Sequence, residues 1–119
     1  SVKAYLTRYT SNVYKVTMQD MKERGLIALE DKILDTYKKE KSSDAVETKL
    51  SEDGRELTVE IKYCPAIRHL KATGREISKW YRYTTEIVMQ TLAETIDCEF
   101  FMEFYDEQTG AAAYRFAKR

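Results

Sequence analysis

Proline occurs once in these 119 residues, histidine once, cysteine twice and glycine four times, each glycine isolated from the others. Isolated glycines supply no phosphate-cradling loop. Two cysteines make no disulfide framework, and with a lone histidine they lack the spacing of a zinc finger. Charge of one sign is also missing: 20 Lys+Arg balance 20 Asp+Glu. The whole-chain field therefore gives no reason to expect nucleic acid or an anionic membrane as partner. No apolar run approaches the ~20 residues that span a bilayer, and no signal-peptide pattern opens the chain. These gaps point to a reducing cytoplasm, with no metal and no cofactor expected. The chain opens at Ser1 instead of Met, which reads as an excised or trimmed domain.

What is present is ordinary for a globular domain: 43% hydrophobic and 34% charged residues. The length suits one domain, residues 1–119, with a helical segment over 1–40 and a hairpin–helix–hairpin unit over 44–119. Val2, Leu6, Tyr9, Val13 and Val16 recur at alternating spacings of four and three, a single apolar helical stripe. Leu26, Leu29, Ile33 and Tyr37, supported by Ile27 and Leu34, continue a similar stripe beyond Gly25. Two helices, or one kinked at Gly25, are expected, with the first stripe packing on the domain's own sheet. The same stripe would serve as a seam with a second subunit, making a homo-oligomer through the N-terminal helix.

Strict alternation follows. Val46, Thr48 and Leu50, then Leu57, Val59, Ile61 and Tyr63, alternate with polar residues around an Asp53-Gly54 turn, predicting a β-hairpin. Pro65 to Lys71 reads as a short helix closed by Gly74. A long helix from Ser78, its N-cap after the staple residue Ile77, runs to Ile96. Cys98 to Tyr105 is too aromatic and too short to favour helix. A turn at Asp106–Gly110 and a strand over Ala111–Ala117 complete a second hairpin. The fold class is α+β: N-terminal helices, and two antiparallel hairpins forming one sheet with a short and a long helix between them.

The junction Tyr63-Cys64-Pro65 carries the most chemistry. Proline is favoured at the first helical position, so Cys64 falls at the N-cap, where the dipole and free N–H groups favour a thiolate. Cys64 reads as a catalytic nucleophile or as a small residue filling a strand–helix corner. His69, the sole side chain ordinarily titrating near neutrality, reads as its proton carrier or as a structural histidine. Arg68, Lys71 and Arg75 suit a substrate carboxylate or a solvated face. Trp80, Tyr81 and Tyr83 suit a pocket wall or simple packing. Cys98 reads as structural.

From Tyr63 to the end, the chain resembles the L-2-amino-thiazoline-4-carboxylic acid hydrolase family of small α+β domains. The matching features are Tyr63-Cys64-Pro65, Leu70-Lys71-Ala72-Thr73-Gly74, the long helix beginning around Trp80-Tyr81, and the closing Tyr114-Arg115-Phe116. The resemblance implies hydrolysis of a C–N or C–S bond in a cyclic amidine-like substrate, with cysteine participating. That family's further cysteines are replaced here by Trp80 or Tyr81 and by Tyr114, so only Cys64 carries over. Two functional expectations follow. One is a hydrolase using Cys64 and His69, with Arg68, Lys71, Trp80, Tyr81 and Tyr114 binding substrate. The other is a non-catalytic small-molecule-binding or sensory module whose former cysteine positions have become an aromatic pocket.

Overall fold

Alternation translates directly into two strands, β1 (Val46–Leu50) and β2 (Glu56–Ile61), paired antiparallel with Thr48 opposite Val59. The Asp53 carboxylate accepts from Ser51 Oγ at 2.7 Å and from the Arg55 amide at 3.1 Å, satisfying the turn, while Gly54 adopts φ 71°. The second hairpin joins β3 (Cys98–Tyr105) to β4 (Ala112–Lys118). The hairpins meet through β2 and β4, giving one antiparallel sheet in the order β1-β2-β4-β3. The architecture is α+β. The computed structural model describes residues 1–74 and 80–119, Trp80 by its backbone alone. The expected cap at Ser78, the staple at Ile77 and the cation Arg75 lie outside the described residues.

Helices cover one face of this sheet. Leu57, Val59, Ile61, Ala112, Tyr114 and Phe116 point into the core, where Met21, Leu26, Leu29, Ile33, Val88 and Leu92 meet them. Each such large side chain withdrawn from water stabilises the fold by about 1.5–3 kcal/mol before entropy is counted. The opposite face carries Glu47, Lys49, Glu56 and Glu60, all exposed. Among the described residues no helix is long and apolar enough to cross a membrane.

The N-terminal segment differs from the expectation in two ways. It forms three helices, α1 (Val2–Val13), α2 (Lys15–Arg24) and α3 (Leu26–Lys39), with a break at Tyr14 as well as at Gly25. The extra break follows a run of weak helix formers. Thr7, Thr10 and Ser11 donate their hydroxyls to the carbonyls of Lys3, Leu6 and Thr7, which bends helices. The first stripe is also not covered by the sheet: Val2, Tyr9, Val13 and Val16 are 47–79% exposed. Helix α1 packs on α5 (Trp80–Thr95) through the neighbouring face instead, where Thr10 is buried with its hydroxyl satisfied by Leu6. In α3 the expected stripe does turn inward, although Ile27 and Leu34 stay exposed. Arg24 bonds Asp20 at the end of α2 and Asp31 in α3, bracing the turn at Gly25, where φ is 72°.

Candidate functional site

Two residues separate the end of strand β2 from Cys64, and Pro65 opens α4 (Pro65–Ala72) at once. Cys64 is the N-cap, with extended backbone (φ −93°, ψ 120°), as the Cys-Pro pair predicts. Its amide donates to Thr109 O at 2.9 Å, tying the start of α4 to the β3–β4 turn. The thiol is half-buried and faces a cavity of about 240 Å³.

Four parts of the fold wall this cavity. Helix α3 contributes Leu29, Ile33 and Tyr37, and α5 contributes Tyr81, Thr85 and Met89. The end of the second hairpin adds Tyr105, Gly110 and Tyr114, and Cys64 with Pro65 closes the side. Tyr14, at the break between α1 and α2, completes a set of five tyrosines. The lining is mostly apolar, with phenols and one thiol converging on it.

Tyr105 reaches the cavity through an irregularity in β3. Met102 pairs with Tyr114, but Phe104 pairs with Ala113 and Tyr105 with Ala112, so Glu103 is an extra, bulged residue. Plain alternation from Cys98 would aim Phe104 inward and Tyr105 outward. The bulge reverses both, leaving Phe104 55% exposed and placing Tyr105 beside Tyr114.

Burial dominates the electrostatics of the phenols. It holds the Tyr37 and Tyr114 hydroxyls far above the ordinary tyrosine range. Nearby Cys64, Glu40 and Tyr105 push Tyr37 further the same way; Tyr37, Tyr105 and Cys64 do so for Tyr114. Tyr105 is raised by burial and then by Cys64, partly opposed by Arg82. Tyr14 is raised by burial and Tyr9. All four remain protonated at neutral pH, each offering one O–H donor.

Of the residues expected to bind or react, Cys64, Tyr81 and Tyr114 come together on the cavity. His69, Arg68 and Lys71 do not line it; all three are exposed on α4. One turn of helix carries His69 away from the N-cap and into the last turn, where its carbonyl accepts from the Thr73 amide and hydroxyl. The Arg68 guanidinium stacks 3.5 Å from the Tyr63 ring centroid, and Tyr63 in turn donates to Asp44. The Trp80 side chain lies outside the described ones. Cys98 is buried, its thiol donating to Ile96 O at 3.8 Å, and burial pushes that thiol up. Among the described residues, no group of three or more His, Cys, Asp or Glu is placed to hold a metal ion.

Comparison with protein-family models, with curated proteins and with solved structures finds no match to this chain.

Reading the sequence for chemistry missed Tyr14, Tyr37, Tyr105 and Gly110. Tyr37 was visible as the last member of the α3 stripe, and its hydroxyl was the signal that this end of the stripe borders polar space. Tyr105 had no such signal, because a bulge is a property of pairing and not of one strand's pattern.

Proposed function

We propose that this domain binds a small organic molecule in the cavity between α3, α4, α5 and the end of the second hairpin. The observation that carries this reading is the convergence of five tyrosines and the Cys64 thiol on one largely apolar hollow. At about 240 Å³ the hollow exceeds the roughly 150 Å³ that accommodates benzene and falls short of the roughly 300 Å³ where drug-sized sites begin. A ligand of one or two rings fits that range. The test is a thermal-shift screen of compounds of that size. A ligand at about a hundred times its Kd stabilises by about 2.7 kcal/mol, or roughly 10 °C for a domain of this length. Hits should lose their effect when Thr85→Phe crowds the wall; a screen without hits removes the reading.

Cysteine-dependent hydrolysis is the second reading, favoured by the thiol's place in the cavity wall at the start of a helix. Cys64 would add to the amidine carbon of a thiazoline carboxylate, as the family resemblance implies, the C=N electron pair passing to a nitrogen that takes a proton. The ring C–S bond then breaks with the ring sulfur leaving as a thiol, and water hydrolyses the Cys64 adduct to a urea, releasing the Cys64 thiol. Proton transfer would have to come from the phenols or Glu40, since His69 is on the outside of α4. Turnover by the wild type that Cys64→Ala abolishes is the expected result of this reading, and an inert wild type ends it. The exposed stripe of α1 supports a homo-oligomer through the N-terminal helix as the assembly in which either activity operates. A cytoplasmic setting fits both readings.

A further inference from the structure

Charge is scarce where the ligand would sit. Lys32 and Glu40 are the only charged residues among the described lining, one of each sign, and the Lys32 ammonium lies 5.9 Å from the Tyr14 ring centroid. Of the cations expected to receive a carboxylate, Arg68 and Lys71 do not line the cavity, and Arg68 is already stacked on Tyr63; Arg75 lies outside the described residues. Among the described lining residues a carboxylate would find one lysine, Lys32, and no arginine to pair with it bidentately, so shedding its water there is costly.

Hydrogen-bond donors, by contrast, are waiting. Tyr114 is 8% exposed, lines the cavity and makes no side-chain hydrogen bond to the protein among the described residues. Among the described residues no side-chain oxygen or nitrogen that is sealed off lacks a partner, so the unpartnered Tyr114 hydroxyl is not sealed off, and its neighbours Tyr37, Tyr105 and Cys64 all line the cavity. Tyr37, on the facing helix, likewise makes no side-chain hydrogen bond to protein among the described residues. Both phenols keep their protons across the neutral range, because burial raises them. Two neutral donors in an apolar site suit an acceptor that carries no charge.

The geometry points to an uncharged one- or two-ring carbonyl compound as the ligand, its oxygen accepting from the Tyr114 and Tyr37 hydroxyls. This rests on the cavity being a binding site, and it runs against the carboxylate class that the family likeness implies.

Three probes of matched size separate the possibilities: 2-acetylnaphthalene, 2-naphthoate and naphthalene, each titrated calorimetrically into the full chain at pH 7. The ketone should bind at least tenfold more tightly than the naphthoate and more tightly than naphthalene. Tyr114→Phe and Tyr37→Phe should each weaken the ketone about tenfold, the worth of one hydrogen bond in an apolar site, and leave naphthalene unchanged. Neither hydroxyl has a protein partner among the described residues, so both variants should melt where the wild type does. Naphthoate binding as well as the ketone overturns the inference and leaves the cavity a ligand site. Ketone no tighter than naphthalene, or indifferent to both Phe variants, overturns the hydrogen-bonding assignment and with it the ligand class. If none of the three binds, the inference fails together with the binding reading beneath it.

Discussion

Gly110 lies so close to Cys64 that a Cβ on it would overlap the Cys64 Cβ, and would come within 2.9 Å of Ile67 Cδ1. Its φ of 75° adds a second reason for glycine. The turn of the second hairpin thus docks on the start of α4 through a residue without a side chain, and this contact sets one wall of the cavity.

Gly110→Ala is therefore expected to destabilise the domain by more than about 2 kcal/mol, the sum of a left-handed backbone penalty and overpacking against backbone and a buried isoleucine. Gly54→Ala is the control: φ is 71° there too, but nothing lies within 4 Å of the added Cβ, so only the backbone penalty of about 1 kcal/mol remains. Urea denaturation of the two variants checks this. Equal losses would mean that the Gly110–Cys64 contact is not as tight as the structure has it.

The two cysteines should separate cleanly by accessibility. Cys64 is half-buried on the cavity, whereas Cys98 is 1% exposed under the sheet. With iodoacetamide at pH 8, site-resolved mass spectrometry should find Cys64 modified in the native protein and Cys98 modified only when urea unfolds it. A ligand in the cavity should slow the first reaction and not the second. Comparable native rates at both sites would contradict the packing of Cys98.

Much of this fold was legible because its periodicities are clean. The β1–β2 hairpin, the Cys64 N-cap and the extent of β3 follow from alternation, from Cys-Pro and from aromatic content. Helix α1 was harder, since an apolar stripe states that a face wants cover and not what covers it. The protein buries Thr10 and exposes Val13 and Val16, a choice made by α5 and invisible in the local pattern. The site was legible only in part. Cys64, Tyr81 and Tyr114 stood out through a junction and a resemblance. Tyr105 depended on the extra residue Glu103, and His69 looked close to Cys64 in sequence although the helix turns it away.

That exposed stripe makes a prediction about self-association. The first nineteen residues carry Lys3, Arg8 and Lys15 and no acidic residue. Two copies pairing through Val2, Tyr9, Val13 and Val16 would bring like charges together, and salt screens that repulsion. Sedimentation equilibrium should show association strengthening between 50 and 500 mM NaCl, to be abolished by Val13→Lys. A monomer at both salt concentrations and at high protein concentration removes the homo-oligomer.

Alkaline pH should act through the same phenols that line the cavity. Tyr14, Tyr37, Tyr105 and Tyr114 are all raised in the folded protein above the ordinary value of 10.0, chiefly by burial. The sign follows from proton counting. Between that ordinary value and the folded value, the unfolded chain has lost protons that the native state retains, so stability falls as pH rises. Below about pH 9 both states hold these protons and the phenols contribute no pH dependence. Urea midpoints should therefore be flat in this respect up to pH 9 and decline steeply from pH 10 upward. Phenolate absorbance from these side chains should appear together with the loss of circular dichroism, not before it. Tyr37→Phe and Tyr114→Phe each remove one such group, so each variant should lose less stability than the wild type between pH 9 and pH 11. Phenolate from these tyrosines appearing near pH 10 in a still-folded protein would mean that water reaches them freely, and the cavity would lose the dryness on which its donors depend.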